Sequence, residues 1–439
     1  MENIDFTVSS LGKATIQSPI SLSKKSDDYI ANYVDENQRI SFDITTEIKP
    51  DRKSSNRKRF LEKAGPREII YFEPAKVHAA VVTCGGLCPG INGVIRAIVM
   101  CLWYRYSVRR ISGIRFGYRG FLPEYKLDTL QLNPKVVADI HKMGGTILGS
   151  SRGGGSKITE IVDSIERMNI NMLFTIGGDG TQRGSLAIAE ETEKRGLKLS
   201  VVGIPKTIDN DLSYMDKSFG FETAVSHACQ AISSAHTEAH DALNGIGIVK
   251  VMGRYSGFIA AHTALAINEV NFVLIPEVPF DLVGEKGLLN ELRRRLEKRN
   301  HAVILVAEGA GEDLLDTEDE TDASGNRKLG DIGAFLKQEI TQFFKAENIE
   351  INLKYIDPSY MIRSAPANPN DSLYCARLGN NAAHAAMAGK TKILISLLYN
   401  HFIHLPSAMA VSRKNYVDPE SSLWRDVVEA TGQPLLMKN

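Results

Sequence analysis

The feature that most limits the fold of this chain is a grammar it repeats. A short apolar run ends at glycines or charges, and a helical pattern takes over. Residues 77–83 (VHAAVVT) run into CGGLCPG, and 91–106 then carry apolar residues at helical spacing. Residues 171–176 (NMLFTI) run into GGDGT at 177–181, followed by a helical stretch over 183–195. Residues 199–204 run into PKTIDND at 205–211. Residues 245–251 run into MGRYSG and an alanine-rich helix ending at Ile267. Residues 301–307 run into EGAG at 308–311, and 392–398 form a late strand. Buried strands alternating with helices predict an α/β fold with mostly parallel sheets. Ligands of such sheets gather at the carboxyl ends of the strands. Every cluster named above lies at such an end, so the clusters are expected to meet in space although they are far apart in sequence.

Bulk properties remove several function classes. The 439 residues suffice for two or three domains, and 43% hydrophobic with 24% charged residues is ordinary for a globular protein. Lys+Arg and Asp+Glu are both 52, so no charge excess calls for nucleic acid or an acidic membrane. Five cysteines, an odd number, argue against a disulfide framework. Cys84 and Cys88 have the spacing of a metal half-site, but Gly85-Gly86 and the missing second pair fit a tight turn better. No apolar run is long enough to cross a membrane, and MENIDFTVSS is not a secretory signal, so a cytoplasmic protein is expected. Residues 1–76 are polar, with a basic stretch at 49–59, and read as a solvated, partly ordered extension. Residues 312–328 are acidic and turn-rich and read as a surface loop.

The clusters themselves suggest phosphate chemistry. Glycines after a strand let backbone N–H groups approach phosphate oxygens, and a following helix N-terminus adds positive potential. CGGLCPG and GGDGT have that form, though a structural turn explains either alone. Asp179 at the tip of GGDGT would repel phosphate unless a cation such as Mg²⁺ lay between them; a helix cap is the bland alternative. In PKTIDND, Asp209 or Asp211 could accept a hydroxyl proton while Lys206 and Thr207 contact phosphate. An extended loop would point the two aspartates in opposite directions, and an Asx-rich turn is the bland reading. Arg152 in the glycine-rich 149–155 segment, Arg254 and Arg363 suit bidentate phosphate recognition, although each alone reads as a surface arginine. The histidines show no ligand spacing.

These motifs, in this order, resemble the 6-phosphofructokinase family over roughly residues 77–415. TCGGLCPGIN, GYRGF, GGTILGSSR, GGDGTQRG, PKTIDND, VMGRYSGF, PEVPF, EGAG and YIDPSYMIRSAP carry the likeness. The resemblance implies transfer of the ATP γ-phosphate to the 1-hydroxyl of fructose 6-phosphate. It implies Asp209 as general base, with Thr207 and Asp211 beside it, and Arg254 and Arg152 stabilising the transferred charge. It implies Mg²⁺ on Asp179 and a nucleotide site made by Gly85, Gly86, Tyr118, Gly180, Thr181 and Gly184. It implies that Met252, Gly253, Glu308, Tyr360 and Arg363 bind the sugar phosphate, and that the chain forms a homotetramer. Three positions depart from the short bacterial pattern. Gly245 and Lys354 stand where arginines reach the sugar phosphate, and Tyr360 stands where a histidine does.

The donor turns on two residues. Pyrophosphate-dependent relatives resemble GGDD, with a second carboxylate where the nucleotide α-phosphate lies; Gly180 has neither charge nor bulk and favours ATP. Lys206 is shared with pyrophosphate users and points the other way. Pyrophosphate dependence therefore stands as the alternative, and a non-catalytic sugar-phosphate-binding subunit as a third reading that Asp179, Asp209 and Asp211 disfavour. The expected architecture is two Rossmann-like domains with the active site in the cleft between them. Residues 77–220 plus 362–412 would hold nucleotide, and 221–361 plus 413–439 the sugar, with PEVPF beginning a turn on the second.

Overall fold

A computed structural model describes residues 5–44, 59–315 and 329–439. Most of the basic stretch and most of the acidic segment, 45–58 and 316–328, lie outside the described residues. The chain divides into two compact units. The first is Met1–Lys206, Leu212–Phe219 and Pro369–Arg413; the second is Thr207–Asp211, Gly220–Asn368 and Lys414–Asn439. Residues 207–211 of PKTIDND thus belong to the second unit, the chain returns to the first over 212–219, and the long second-unit segment begins at Gly220.

The first unit is built on a nine-stranded sheet among the described residues. Its centre is parallel: Ile393–Leu398, Ser200–Pro205, Met172–Gly177, His78–Thr83 and Arg110–Ile114, in that spatial order. These strands are almost wholly buried, which explains why they read as continuous apolar runs rather than alternating ones. The helix expected over 91–106 is α-helical at Ile91–Met100 and widens to a π turn at Cys101–Arg105. The helix expected from 183 begins four residues earlier, as Asp179–Lys194. GGDGT therefore runs directly from strand into helix: Gly177 ends the strand, Gly178 precedes the helix, and Asp179–Thr181 lie in its first turn.

The N-terminal segment departs from the solvated extension read in its composition. Ser9–Ser10 pairs with Lys390–Thr391, and Ile16–Gln17 with Ile69–Ile70. Phe60–Lys63 extends the large sheet beyond His401–Pro406, and Arg39–Ser41 extends it again. Its charges are matched with one another. Buried Arg67 reaches Glu36 at 2.9 Å and Glu62 at 3.1 Å, and Lys390 reaches the same two carboxylates at 2.9 and 3.0 Å. His404 contacts Glu62 at 2.8 Å. Composition counts these groups as solvating because it cannot see their pairing.

The second unit has a parallel four-stranded sheet in the order Phe272–Leu274, His301–Ala307, Gly245–Val251, Asn352–Ile356. Leu288–Arg299 and Ile332–Ala346 pack on one face over Ile246, Ile248, Ile304 and Val306. Phe221–His240 lies along the strands Gly245–Val251 and His301–Ala307. The C-terminal tail docks on the edge strand, where Gln433 accepts from the Val273 N–H at 2.7 Å. PEVPF opens a turn closed by the Val278 N–H on the Ile275 carbonyl. Gly245 is enforced: a Cβ there would lie 2.0 Å from the Ala239 carbonyl oxygen. No arginine fits at that position, which is a steric reason for the first departure.

Candidate active site

In the first unit the strand ends bring the glycine turns together. Gly85, with φ +86°, follows His78–Thr83; its N–H donates to the Ser151 carbonyl at 3.0 Å. That bond fixes the residue just before Arg152, whose side chain is exposed. Lys206, at the end of Ser200–Pro205, is buried and donates from Nζ to the Gly86 carbonyl at 2.8 Å. Tyr118 donates its hydroxyl to the Thr181 carbonyl at 2.8 Å, and its ring lies so close to Gly184 that a Cβ there would be 2.9 Å away. Cys84 lies buried in the same turn, and burial pushes its thiol up to about 12.

The helix Asp179–Lys194 starts at this place. Gly178 precedes it without a side-chain cap, so its first turn presents backbone N–H groups and the positive end of the dipole. A Cβ at Gly180 would meet nothing within 4 Å. Asp179 is partly exposed and accepts from Arg183 Nε at 3.1 Å. Among the described residues no three ligating side chains form a metal group. One accessible carboxylate beside helix-start amides fits a Mg²⁺ ion that arrives with a nucleotide, because Mg²⁺ takes one or two carboxylates plus phosphate oxygens. Gln182, not anticipated from sequence, ties the strand ends together. Its Nε2 donates to the carbonyls of Gly177 at 2.9 Å and Ile204 at 3.1 Å.

In the second unit the residues 207–211 are not extended. Asn210 is left-handed at φ +57°, the Asp209 N–H donates to Thr207 Oγ1 at 3.2 Å, and Thr207 Oγ1 donates to Asp211 Oδ1 at 2.8 Å. This hydroxyl-centred turn draws Asp211 back toward Asp209 instead of pointing it away. Asp209 Oδ1 is inaccessible and has no hydrogen-bond partner. Burial, then the negative charges of Asp211 and Glu308, raise the Asp209 carboxyl to about 8, while the backbone and guanidinium of Arg254 oppose the rise.

The turn is held from outside by residues the sequence did not single out for this. Ser256 donates to the Asp209 carbonyl at 2.9 Å. The N–H of Asn415 donates to the Asp211 carbonyl at 2.9 Å, and its Nδ2 to the Asn210 carbonyl at 3.3 Å. Glu277 accepts from Gly257 N–H at 2.9 Å and Val417 N–H at 2.8 Å, joining the segments that carry those two residues. Ser256 and Glu277 lie inside MGRYSG and PEVPF, so the signal was present without a stated purpose.

Met252 is buried and Gly253 has φ +127°. The Gly309 N–H donates to the Gly253 carbonyl at 3.2 Å, so the turn bearing Arg254 and the turn after Glu308 pack together. A Cβ at Gly309 would be 1.9 Å from the Arg254 carbonyl oxygen. Burial raises the Glu308 carboxyl, and the charges of Arg254, Lys250 and Arg363 pull it back. Arg363 lies in the helix Ser359–Ser364. Tyr360 in the same helix is 82% exposed, and Lys354 is exposed on the edge strand opposite Gly247.

A family model described as phosphofructokinase matches residues 78–386. The chain belongs to the phosphofructokinase family. A relative from Borreliella burgdorferi named ATP-dependent 6-phosphofructokinase is 58% identical over 446 aligned positions, covering 100% of this chain and 99% of that one. A second with that name, from Amycolatopsis methanolica, is 45% identical and covers 98% of this chain and 95% of its own. Two solved structures share the phosphofructokinase fold at low identity. A pyrophosphate-dependent phosphofructokinase from Marinobacter aquaeolei has a TM-score of 0.66 at 19% identity, covering 81% of this chain and 91% of that one. The Pichia pastoris phosphofructokinase has a TM-score of 0.63 at 20% identity, covering 82% of this chain and 37% of its own. Among the described residues no helix is long and apolar enough to cross a membrane.

Proposed function

We propose that this phosphofructokinase transfers the γ-phosphate of ATP to the 1-hydroxyl of fructose 6-phosphate, giving fructose 1,6-bisphosphate and ADP in glycolysis. The observation that carries the chemistry is the buried, unpartnered Oδ1 of Asp209 with its raised pKa. A carboxylate that is poorly solvated and near neutral in pKa is suited to take a proton from an alcohol. As the sugar oxygen bonds to phosphorus, its proton passes to Asp209 and the bond to the β-phosphate oxygen breaks. Arg254 and Arg152 stabilise the charge on the transferred group.

In the donor half, Gly85, Gly86, Gly180, Thr181 and Gly184 offer backbone to the nucleotide phosphates, Tyr118 fixes the Thr181 turn, and Lys206 adds charge. Asp179 would hold the Mg²⁺ that accompanies ATP, where the ion would offset the negative charge of the phosphates. In the acceptor half, Met252, Gly253 and Glu308 orient the sugar, and Arg363, Lys354 and Tyr360 take its 6-phosphate. Thr207 and Asp211 keep the base in place. We assign the protein to the cytoplasm, as five cysteines, few and odd in number, suit a reducing compartment, and a homotetrameric assembly on the family resemblance.

Support for ATP comes from the names of its relatives and from the open space at Gly180. Lys206 favours the second reading, pyrophosphate as donor. A paired assay with fructose 6-phosphate and Mg²⁺ separates them. ADP-forming turnover with ATP alone is expected; turnover with pyrophosphate alone would overturn the donor assignment. In the same assay kcat/KM for fructose 6-phosphate should rise with pH through an apparent pKa near 8, because the free enzyme's base must be ionised. A flat profile between about pH 6 and 9 would exclude Asp209 as that base.

A further inference from the structure

Lys250 is the single charged residue in the strand Gly245–Val251, and its side chain is only 13% exposed. It is not an isolated charge. Nζ lies 3.1 Å from Asp331 Oδ1 and 3.0 Å from Asp357 Oδ2. Asp331 caps the helix Ile332–Ala346, accepting from the N–H groups of Gly333 and Ala334. The Tyr355 hydroxyl also donates to Asp331, at 2.9 Å. Asp357 accepts from the Ser359 N–H at 3.0 Å and from its hydroxyl at 2.5 Å, so it opens the helix Ser359–Ser364 that carries Tyr360 and Arg363. Two residues after Lys250 the chain enters the Met252–Arg254 turn, and the Lys250 charge acts on Glu308 together with those of Arg254 and Arg363.

We propose that Lys250 is a positioning residue for the sugar phosphate: through Asp357 it fixes the Arg363 helix, and through Asp331 the neighbouring helix, against the central strand. The inference rests on the proposed reaction. It adds a residue that touches no reacting atom and acts through Arg363. A lysine here also holds its proton more firmly than usual. Burial works against the charge, and the hydrogen bonds to Asp357, Asp331 and Tyr355 more than offset it. The tie therefore persists across the working pH range. Loss of the ammonium leaves two carboxylates near each other and removes the tie between helix and strand, where a shift of about 1 Å is enough to spoil alignment. Misplacement of that size costs up to roughly 100-fold in processes that depend on alignment.

The test compares Lys250→Met, Lys250→Arg and wild type as full-length protein. The expected result for Lys250→Met is a rise of roughly tenfold or more in KM for fructose 6-phosphate, with kcat and KM for ATP within about threefold. Lys250→Arg should recover part of the loss. The double variant Lys250→Met/Asp357→Asn removes one charge of each sign, so a folding defect from unbalanced carboxylates is separated from the lost tie; its KM for the sugar should stay high while its melting temperature returns. Calorimetric binding of fructose 6-phosphate without ATP reads the same tie independently of turnover. Wild-type binding without turnover would sink the proposed reaction and leave the tie standing. A folded Lys250→Met protein with unchanged sugar affinity, or with kcat and both KM values altered alike, would overturn the positioning role.

Discussion

Asp209→Ser leaves the fold and sugar binding in place and lowers kcat by roughly 10²- to 10⁴-fold, the usual cost of removing a general base. The fold survives because the turn at 207–211 is held by backbone. Ser256 and Asn415 bond to the carbonyls of residues 209, 210 and 211, not to the Asp209 carboxylate. The lost group is one that makes no hydrogen bond through Oδ1 in the free protein. Steady-state kinetics with a sugar-binding control checks this, and near-normal turnover would remove Asp209 from the mechanism. The same site gives a stability prediction of defined sign. The folded pKa near 8 lies above the unfolded value, about 3.9. The group's contribution to stability is therefore complete below about pH 4 and lost as pH rises toward 8. Asp209→Asn, which cannot ionise, should gain more in melting temperature over wild type at about pH 8.5 than at about pH 5.5. An equal gain at both would mean that Asp209 is not strained by its charge.

Gly180→Asp weakens ATP use by roughly 10- to 100-fold in KM while leaving sugar binding nearly unchanged. Nothing lies within 4 Å of the position a Cβ would take, so the residue is admitted without a clash. An acidic residue in the first helical turn is favourable to the helix itself. The penalty falls on the ligand. Two like charges about 4 Å apart repel by about 4 kcal/mol at an effective dielectric near 20, and solvent and Mg²⁺ screen part of that. Kinetics against ATP and pyrophosphate for the variant measure it. An unchanged KM for ATP would show that this space does not border the nucleotide phosphates.

Much of this could be read in the sequence, for reasons that particular residues show. The strands His78–Thr83, Met172–Gly177 and Ser200–Pro205 are buried on both faces, so each stands out as an unbroken apolar run. The clusters at their ends were visible for the same reason. The parts that were not legible depend on partners distant along the chain. Asn415 holds a carbonyl 205 positions away, and no local pattern encodes that. Gln182 works by donating to the backbone carbonyls of Thr175, Gly177 and Ile204, which any side chain amide could do in principle. The curl of 207–211 follows from one left-handed Asn210 and one threonine hydroxyl, where an aspartate pair two apart suggests an extended loop. In the N-terminal segment the strands are two to four residues long, too short for alternation to register.

The pairing of Phe60–Lys63 with His401–Pro406 has a consequence for solubility. Without it, a mostly buried apolar strand would be the margin of the large sheet and a template for strands of other molecules. The margin that exists instead is Arg39–Ser41, three residues long and mostly exposed, which offers little to grow upon. Shortening the chain at its front would also take Glu36 and Glu62 away from Lys390 and Glu62 away from His404, leaving a buried ammonium unpaired and a buried imidazole without its carboxylate. The polar opening of this chain is therefore its safeguard against aggregation.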